Sequence, residues 1–318
     1  MKRANVMTAV GASGLMMLAG GCSQNATTGR SQFNSLSRDD EIKLGTEQLP
    51  QLTKEYGGKV ANQELQAYVT EIGLKLAAQT ESDNPSLPWE FTLLDSDVIN
   101  AFALPGGKVF VSRGLAAKMT NEAQLAGVLG HEIGHVTARH INDQLTRETA
   151  AGFGTQILAG LAGQTGSAAV SQIAPVVIQY GGQGVLMKFS RDQESEADAL
   201  GMRYMSKLGY NPLGQRQLME ILQREAGTPN GSEFFATHPY PETRIKRIDG
   251  LLKGEYASTQ NNPQYTLKDQ EFRQRFLNKL SAAFPAGRPV NHADERLARA
   301  SLTWSDTFAT RCDGPHAH

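Results

Sequence analysis

The five residues His131-Glu132-Ile133-Gly134-His135, inside the stretch Leu125 to His140 (LAGVLGHEIGHVTARH), constrain this chain more than any other segment. On an α-helix, side chains four apart share a face, so His131 and His135 can turn both imidazoles toward a single ion. Glu132 lies one residue round from His131, within reach of a water on that ion. The H-E-x-x-H pattern therefore suits two zinc ligands and a general base. It does so only on a helix. Thr120, ahead of Asn121-Glu122, supplies an N-cap with acid in the first turn, and Ala123, Leu125, Ala126, Val128, Leu129, Ile133 and Val136 supply apolar faces. Gly127, Gly130 and Gly134 oppose the helix at about 1 kcal/mol each. Such a cost makes sense where something must approach the helix backbone closely. The competing reading is a buried helix with two incidental histidines.

A catalytic zinc has three protein ligands and keeps one position for water. Downstream, Ser190 and Gln193 form a capping box and Gly209 suits a C-cap, so a helix is predicted over about 190 to 208. Its apolar stripe runs through Ala197, Leu200, Gly201, Tyr204, Met205 and Leu208, and one turn back the same stripe carries Glu194 and Asp198. Carboxylates on a buried stripe are costly unless paired or metal-bound. Glu194 is thus the expected third ligand. Asp198, one turn on, is placed to hold the outer N–H of a ligating histidine. Glu196, nearly opposite Glu194 on the wheel, reads as solvated surface.

H-E-I-G-H followed by S-R-D-Q-E-S-E-A-D-A-L-G resembles the zinc metallopeptidases that include HtpX and the CAAX prenyl proteases, and most closely their periplasmic branch. Thr28-Gly29-Arg30, Asn100 to Gly107 (NAFALPGG), His238-Pro239 and Arg244-Ile245 add to the likeness, which spans roughly residues 25 to 253. The resemblance implies an α+β, mostly α, zincin-like (gluzincin) domain with a small sheet beside the active-site helix. It implies one zinc ion on His131, His135 and Glu194, with Glu132 as the base in peptide hydrolysis. It also implies endopeptidase quality control of misfolded cell-envelope proteins, alongside outer-membrane assembly machinery. It brings His238 to the cleft, where it could donate to the oxyanion or act as a fourth ligand; a loop histidine bonded only to backbone is the plainer alternative. A non-catalytic assembly lipoprotein with structural zinc is the rival function, and the intact Glu132 argues against it because a structural site needs no base.

Around this centre the rest of the chain reads in order. Lys2 and Arg3 precede a short apolar run to Ala19, which predicts a signal peptide over 1–21. Cys22 after Gly20-Gly21 resembles a bacterial lipoprotein acylation site, implying an outer-membrane lipid anchor on the periplasmic side; a free thiol near an ordinary cleavage site is the alternative. Residues 22–36 read as a lipidated tether, 37–253 as the peptidase domain, and 254–318 as a C-terminal extension. Helices are predicted from Ser37 to about Tyr56, Asn62 to about Thr80, Asn211 to Arg224 and Asp269 to Phe284, the last with Phe272, Phe276 and Leu280 on one face. Strands are predicted at Trp89–Leu94, Ala101–Leu104 and Lys108–Ser112. Thr149 to Met187 carries no charge but is broken by Gly and Gln, so a helical hairpin by the cleft is expected rather than a membrane span. No repeat of about thirty-four residues is visible. A net charge of -1 and the absence of basic runs give no reason to expect nucleic acid.

Overall fold

The computed structural model describes residues 23–32, 34–81, 87–152, 188–226 and 233–285. The architecture is α+β and mostly helical, with a three-stranded sheet of order β3-β5-β4. Strand β3 (Glu90–Leu94) runs parallel to β5 (Lys108–Ser112), and β4 (Ala101–Leu104) pairs antiparallel with β5, Phe102 opposite Phe110. The β4–β5 turn is Pro105-Gly106-Gly107, with both glycines at positive φ. A Cβ on Gly106 would also lie 2.4 Å from the Ile42 Cα, so no larger residue fits there. Period-two alternation splits the sheet between two apolar layers. Phe91, Leu93, Val109 and Val111 enter the main core. Leu94, Phe102, Leu104 and Phe110 pack with Leu52 of the first helix, Arg38–Glu55, and with Tyr56, which caps its C-terminus.

The H-E-x-x-H helix, Glu122–Thr137, lies at the centre, and all sixteen of its residues are buried. Its cap is Asn121, one residue later than the expected Thr120: the Asn121 side chain accepts from the Gln124 N–H. Thr120 takes the reciprocal role, its N–H bonding the Gln124 side chain at 2.7 Å. The glycines permit close approach by two helices. A Cβ on Gly130 or Gly134 would lie 3.1 Å or 3.0 Å from backbone of Gly201 or Ala197, on the helix Arg191–Lys207. One on Gly127 would meet the Gln215 side chain at 2.6 Å, on the helix Leu213–Glu225. The predicted caps at Ser37–Asp40, Asn62 and Ser190–Gln193 are formed, and Gly209 follows the third helix at φ 75°.

Two boundaries differ from the sequence reading. Residues 24–36, expected as a tether, fold against the domain. Ser23–Gln24 (β1) pairs with Ser31–Gln32 (β2), and Asn25 and Gln32 are buried. Their side-chain amides donate to the carbonyls of Thr137 at 3.0 Å and Ala138 at 2.7 Å, satisfying groups that the central helix leaves open at its C-terminus. The domain also continues past 253. Phe272, Phe276 and Leu280 are buried in the main core, with Phe272 and Phe276 both packed on Tyr68 of the helix Gln63–Ala77. The segment expected as one amphipathic helix does turn continuously from Asp269 to Ala283, through a π-helical stretch at Arg273–Leu277.

Among the described residues no helix is long and apolar enough to cross a membrane. The proposed signal segment, Cys22, nearly all of Thr149 to Met187 and the chain beyond 285 lie outside the described residues.

Candidate metal centre

The central helix presents His131 and His135 one turn apart, and the helix Arg191–Lys207 presents Glu194 and Asp198 one turn apart against them. The third contribution is a short helical turn, Phe234–Thr237, followed by His238, whose ring stacks on Phe234 with centroids 4.2 Å apart. One potential ligand atom from each of His131, His135, Glu194 and His238 falls within 4.8 Å of the others, and all four residues are buried. His131 Nε2 is 3.0 Å from His135 Nε2 and 3.3 Å from His238 Nδ1. The Glu194 carboxylate reaches His131 Nε2 at 3.6 Å, His135 Nε2 at 3.4 Å and His238 Nδ1 at 3.0 Å.

The donor set suits a cation. Asp198 Oδ1 lies 3.0 Å from His131 Nδ1, so that nitrogen carries the proton and Nε2 turns a bare lone pair inward. There it meets two more ring nitrogens and a carboxylate, a cluster of electron pairs that repel one another unless a positive charge lies among them. Three imidazoles and one carboxylate are zinc-type ligands. Glu132 flanks the cluster without joining it: its Oε1 has no hydrogen-bond partner among the described residues and sits 3.5 Å from His238 Nε2. Burial pushes the Glu132 carboxyl up to about 8, and the Glu194 carboxylate adds to the rise. A base meant to shuttle a proton near neutrality needs that kind of environment.

Two residues central to the site escaped the sequence reading. Arg244 enters the sequence analysis only as part of the Arg244-Ile245 likeness, with no role of its own, yet on the helix Pro241–Lys253 it is fully buried. Its Nε and Nη2 donate to Asp198 at 2.8 Å and 2.7 Å, and Nη1 lies 2.6 Å from Glu194 Oε2. Burial alone would raise both carboxyls; the guanidinium overrides it and holds both below their ordinary values. A clue existed: Arg244 shares the i, i+4, i+8 face with Ile248 and Leu252, the buried side of the helix. His140 is the other. It is buried against His135, Nδ1 to Nδ1 at 2.9 Å, and bonds Glu196 at 2.8 Å. Glu196 is therefore half-buried and paired rather than solvated, because the outer face of its helix is covered by His140 and by Arg30.

A mostly helical domain in which an H-E-x-x-H helix packs between a small sheet and a helix bearing a buried acid is a zincin-like metallopeptidase domain. The chain belongs to Peptidase family M48, which it matches over residues 63–252. It is 30% identical over 226 residues to the mitochondrial metalloendopeptidase OMA1 of Schizosaccharomyces pombe, covering 70% of this chain and 64% of that protein. It is 28% identical over 257 residues to the beta-barrel assembly-enhancing protease of Escherichia coli (strain K12), covering 77% of this chain and 51% of the relative. The chain thus spans about half to two-thirds of the length of these relatives.

Replacing Arg244 by Met leaves two carboxylates buried without their counter-charge. Urea unfolding of the metal-free protein should show a loss of about 3–5 kcal/mol. Added zinc should restore part of it, since a cation on Glu194 supplies positive charge to the same site. Unchanged stability would mean that the pair is not buried in solution.

Proposed function

We propose that the protein is a zinc metalloendopeptidase that hydrolyses peptide bonds of cell-envelope proteins. The observation that carries this is the inward-facing set of His131, His135 and Glu194 with the partnerless Glu132 Oε1 beside it. In this reading His131 and His135 bind through Nε2 and Glu194 through its carboxylate, and Asp198 orients His131. When bound, the metal supplies Lewis-acid activation of a water and of the scissile carbonyl. Glu132 takes the proton of the attacking water and delivers it to the departing amide nitrogen. The buried walls, Phe189 stacked on His135 and Phe234 on His238, exclude bulk water and strengthen each charge inside. β4, one of the two outer strands of the sheet, has no strand paired to its outer edge among the described residues, and an extended substrate can pair there.

The envelope substrates and the periplasmic setting rest on the beta-barrel assembly-enhancing relatives and on the lipoprotein-like Cys22. A lipid on Cys22 would hold the domain at the outer membrane without a membrane-spanning helix. His238 serves as a resting-state ligand that withdraws for substrate, in keeping with Nδ1 lying among the other donors.

Three outcomes are expected. Glu132→Gln keeps its zinc, measured by metal analysis, and loses cleavage of unfolded casein by about 10²–10⁴-fold; cleavage at the parental rate would end the mechanism. His238→Ala keeps zinc and shows higher basal cleavage, whereas a slower turnover with zinc retained would assign His238 to the oxyanion instead. Cys22→Ser moves the protein from the membrane pellet to the soluble fraction after salt washing, and retention in the pellet would count against the lipid anchor.

A further inference from the structure

The two histidines of the central helix are held from behind in different ways. His131 has a carboxylate directly on its outer nitrogen, whereas His135 has another histidine, His140. His140 is brought there by a turn at Ala138-Arg139, where Arg139 takes φ 57° and the chain reverses into the next helix, His140–Gly152. That left-handed residue is held by its own guanidinium, which bonds Glu41 Oε1 at 3.0 Å and the Leu36 carbonyl at 2.7 Å. Asn25 and Gln32 of the N-terminal hairpin bond the Thr137 and Ala138 carbonyls of the same turn. The hairpin also carries Arg30, whose guanidinium lies 3.2 Å from Glu196 Oε2.

The polarity of this chain of contacts can be followed from the outside inward. An ionised Glu196 only accepts, so His140 Nε2, at 2.8 Å, must carry the proton. In the neutral ring His140 Nδ1 is then bare and must accept, so His135 Nδ1, at 2.9 Å, must donate. His135 Nε2 is left bare, and it is the nitrogen facing His131, Glu194 and the rest of the cluster.

We infer that His140, Glu196 and Arg30 form a positioning relay that fixes His135 as an Nε2 metal ligand, and that the N-terminal hairpin is thereby part of the metal site. The inference rests on the zinc reading above. It adds that a segment lying ahead of the family-matched region, residues 63–252, sets the affinity of one ligand. A carboxylate placed directly on His135 would do the same task; interposing His140 extends the reach by one ring to a residue at the rim, where Arg30 on a separate segment can act on it.

The test is the zinc dissociation constant of the full-length chain, measured by competition with a chromophoric chelator, together with the ¹⁵N chemical shifts of the His135 ring. His140→Leu removes both polar atoms while keeping bulk, and should weaken zinc binding by roughly 10–100-fold. His140→Gln offers an oxygen toward His135 and an N–H toward Glu196, and should recover most of that loss. Glu196→Leu, at the partly exposed end of the relay, tests the idea if His140→Leu does not fold; it should weaken zinc about tenfold and admit the other His135 tautomer in the metal-free protein. Affinities within about twofold of the parent for His140→Leu, or for Glu196→Leu, overturn the relay. So does a Gln variant as weak as the Leu variant, which would leave only packing. A parent chain that binds no zinc would instead overturn the metal reading beneath it.

Discussion

The buried ion pairing of Arg244 with Glu194 and Asp198 is the interaction on which the rest of this structure turns. Two carboxylates and one guanidinium, all fully buried, leave one negative charge at the centre before any ion is considered. Isolated, such a charge would be untenable in a low-dielectric interior. Partnered with a cation among the imidazoles it becomes favourable, and burial then strengthens the attraction instead of merely penalising it. Arg244 also divides the labour of the two acids. Asp198, gripped through two nitrogens, is fixed for the single task of orienting His131. Glu194, touched at one oxygen, keeps the other turned toward His135 and His238.

That arrangement requires two helices to lie almost in backbone contact, and small residues make it possible. Gly130 faces Gly201, and a Cβ added to Gly201 would lie 2.8 Å from the backbone nitrogen of His131. Each glycine weakens its own helix by about 1 kcal/mol, but without them the Glu194 helix would stand off by a side chain and its carboxylates would miss the histidines. The central helix is accordingly buried on all sides and contributes no surface. Its stability comes from tertiary packing, which is why the glycines do not unwind it.

Local features of this chain were legible in the sequence because they depend on residues a turn or two apart. The H-E-x-x-H spacing, the capping boxes at Ser37 and Ser190, the alternation of Val109, Phe110 and Val111, and the stripe shared by Glu194 and Asp198 are of this kind. What the sequence hid are contacts between distant segments. Arg244 reaches Asp198 across 46 positions, and Asn25 reaches Thr137 across 112. A polar stretch such as residues 24–36 looks like a tether because its amides have no visible partner nearby; its partners are the open carbonyls of a helix end a hundred residues on. His140 was overlooked for a different reason. The αL turn at Arg139 breaks the helical register, so no wheel drawn through His131 and His135 puts His140 behind the second ring.

The same long-range contacts explain why the domain is larger than its motif-bearing segment. The family match ends at 252, yet Phe272 and Phe276 beyond it pack on Tyr68, and Tyr68 bonds Glu122 at the start of the central helix. Tyr210 and Lys268 converge on the same carboxylate, at 2.6 Å and 3.3 Å. The central helix is therefore gripped at both ends by segments outside the ligand-bearing motifs: at its N-terminus by Tyr68, Tyr210 and Lys268 on Glu122, at its C-terminus by the N-terminal hairpin. A helix carrying two ligands four residues apart must hold its axis to well under an ångström for both imidazoles to meet one ion. Glycine-lined packing allows it to slide unless the ends are fixed. Anchoring both ends with buried, charge-assisted or carbonyl-directed hydrogen bonds supplies that restraint, and it places the determinants of site geometry in parts of the chain that carry none of the metal's own ligands.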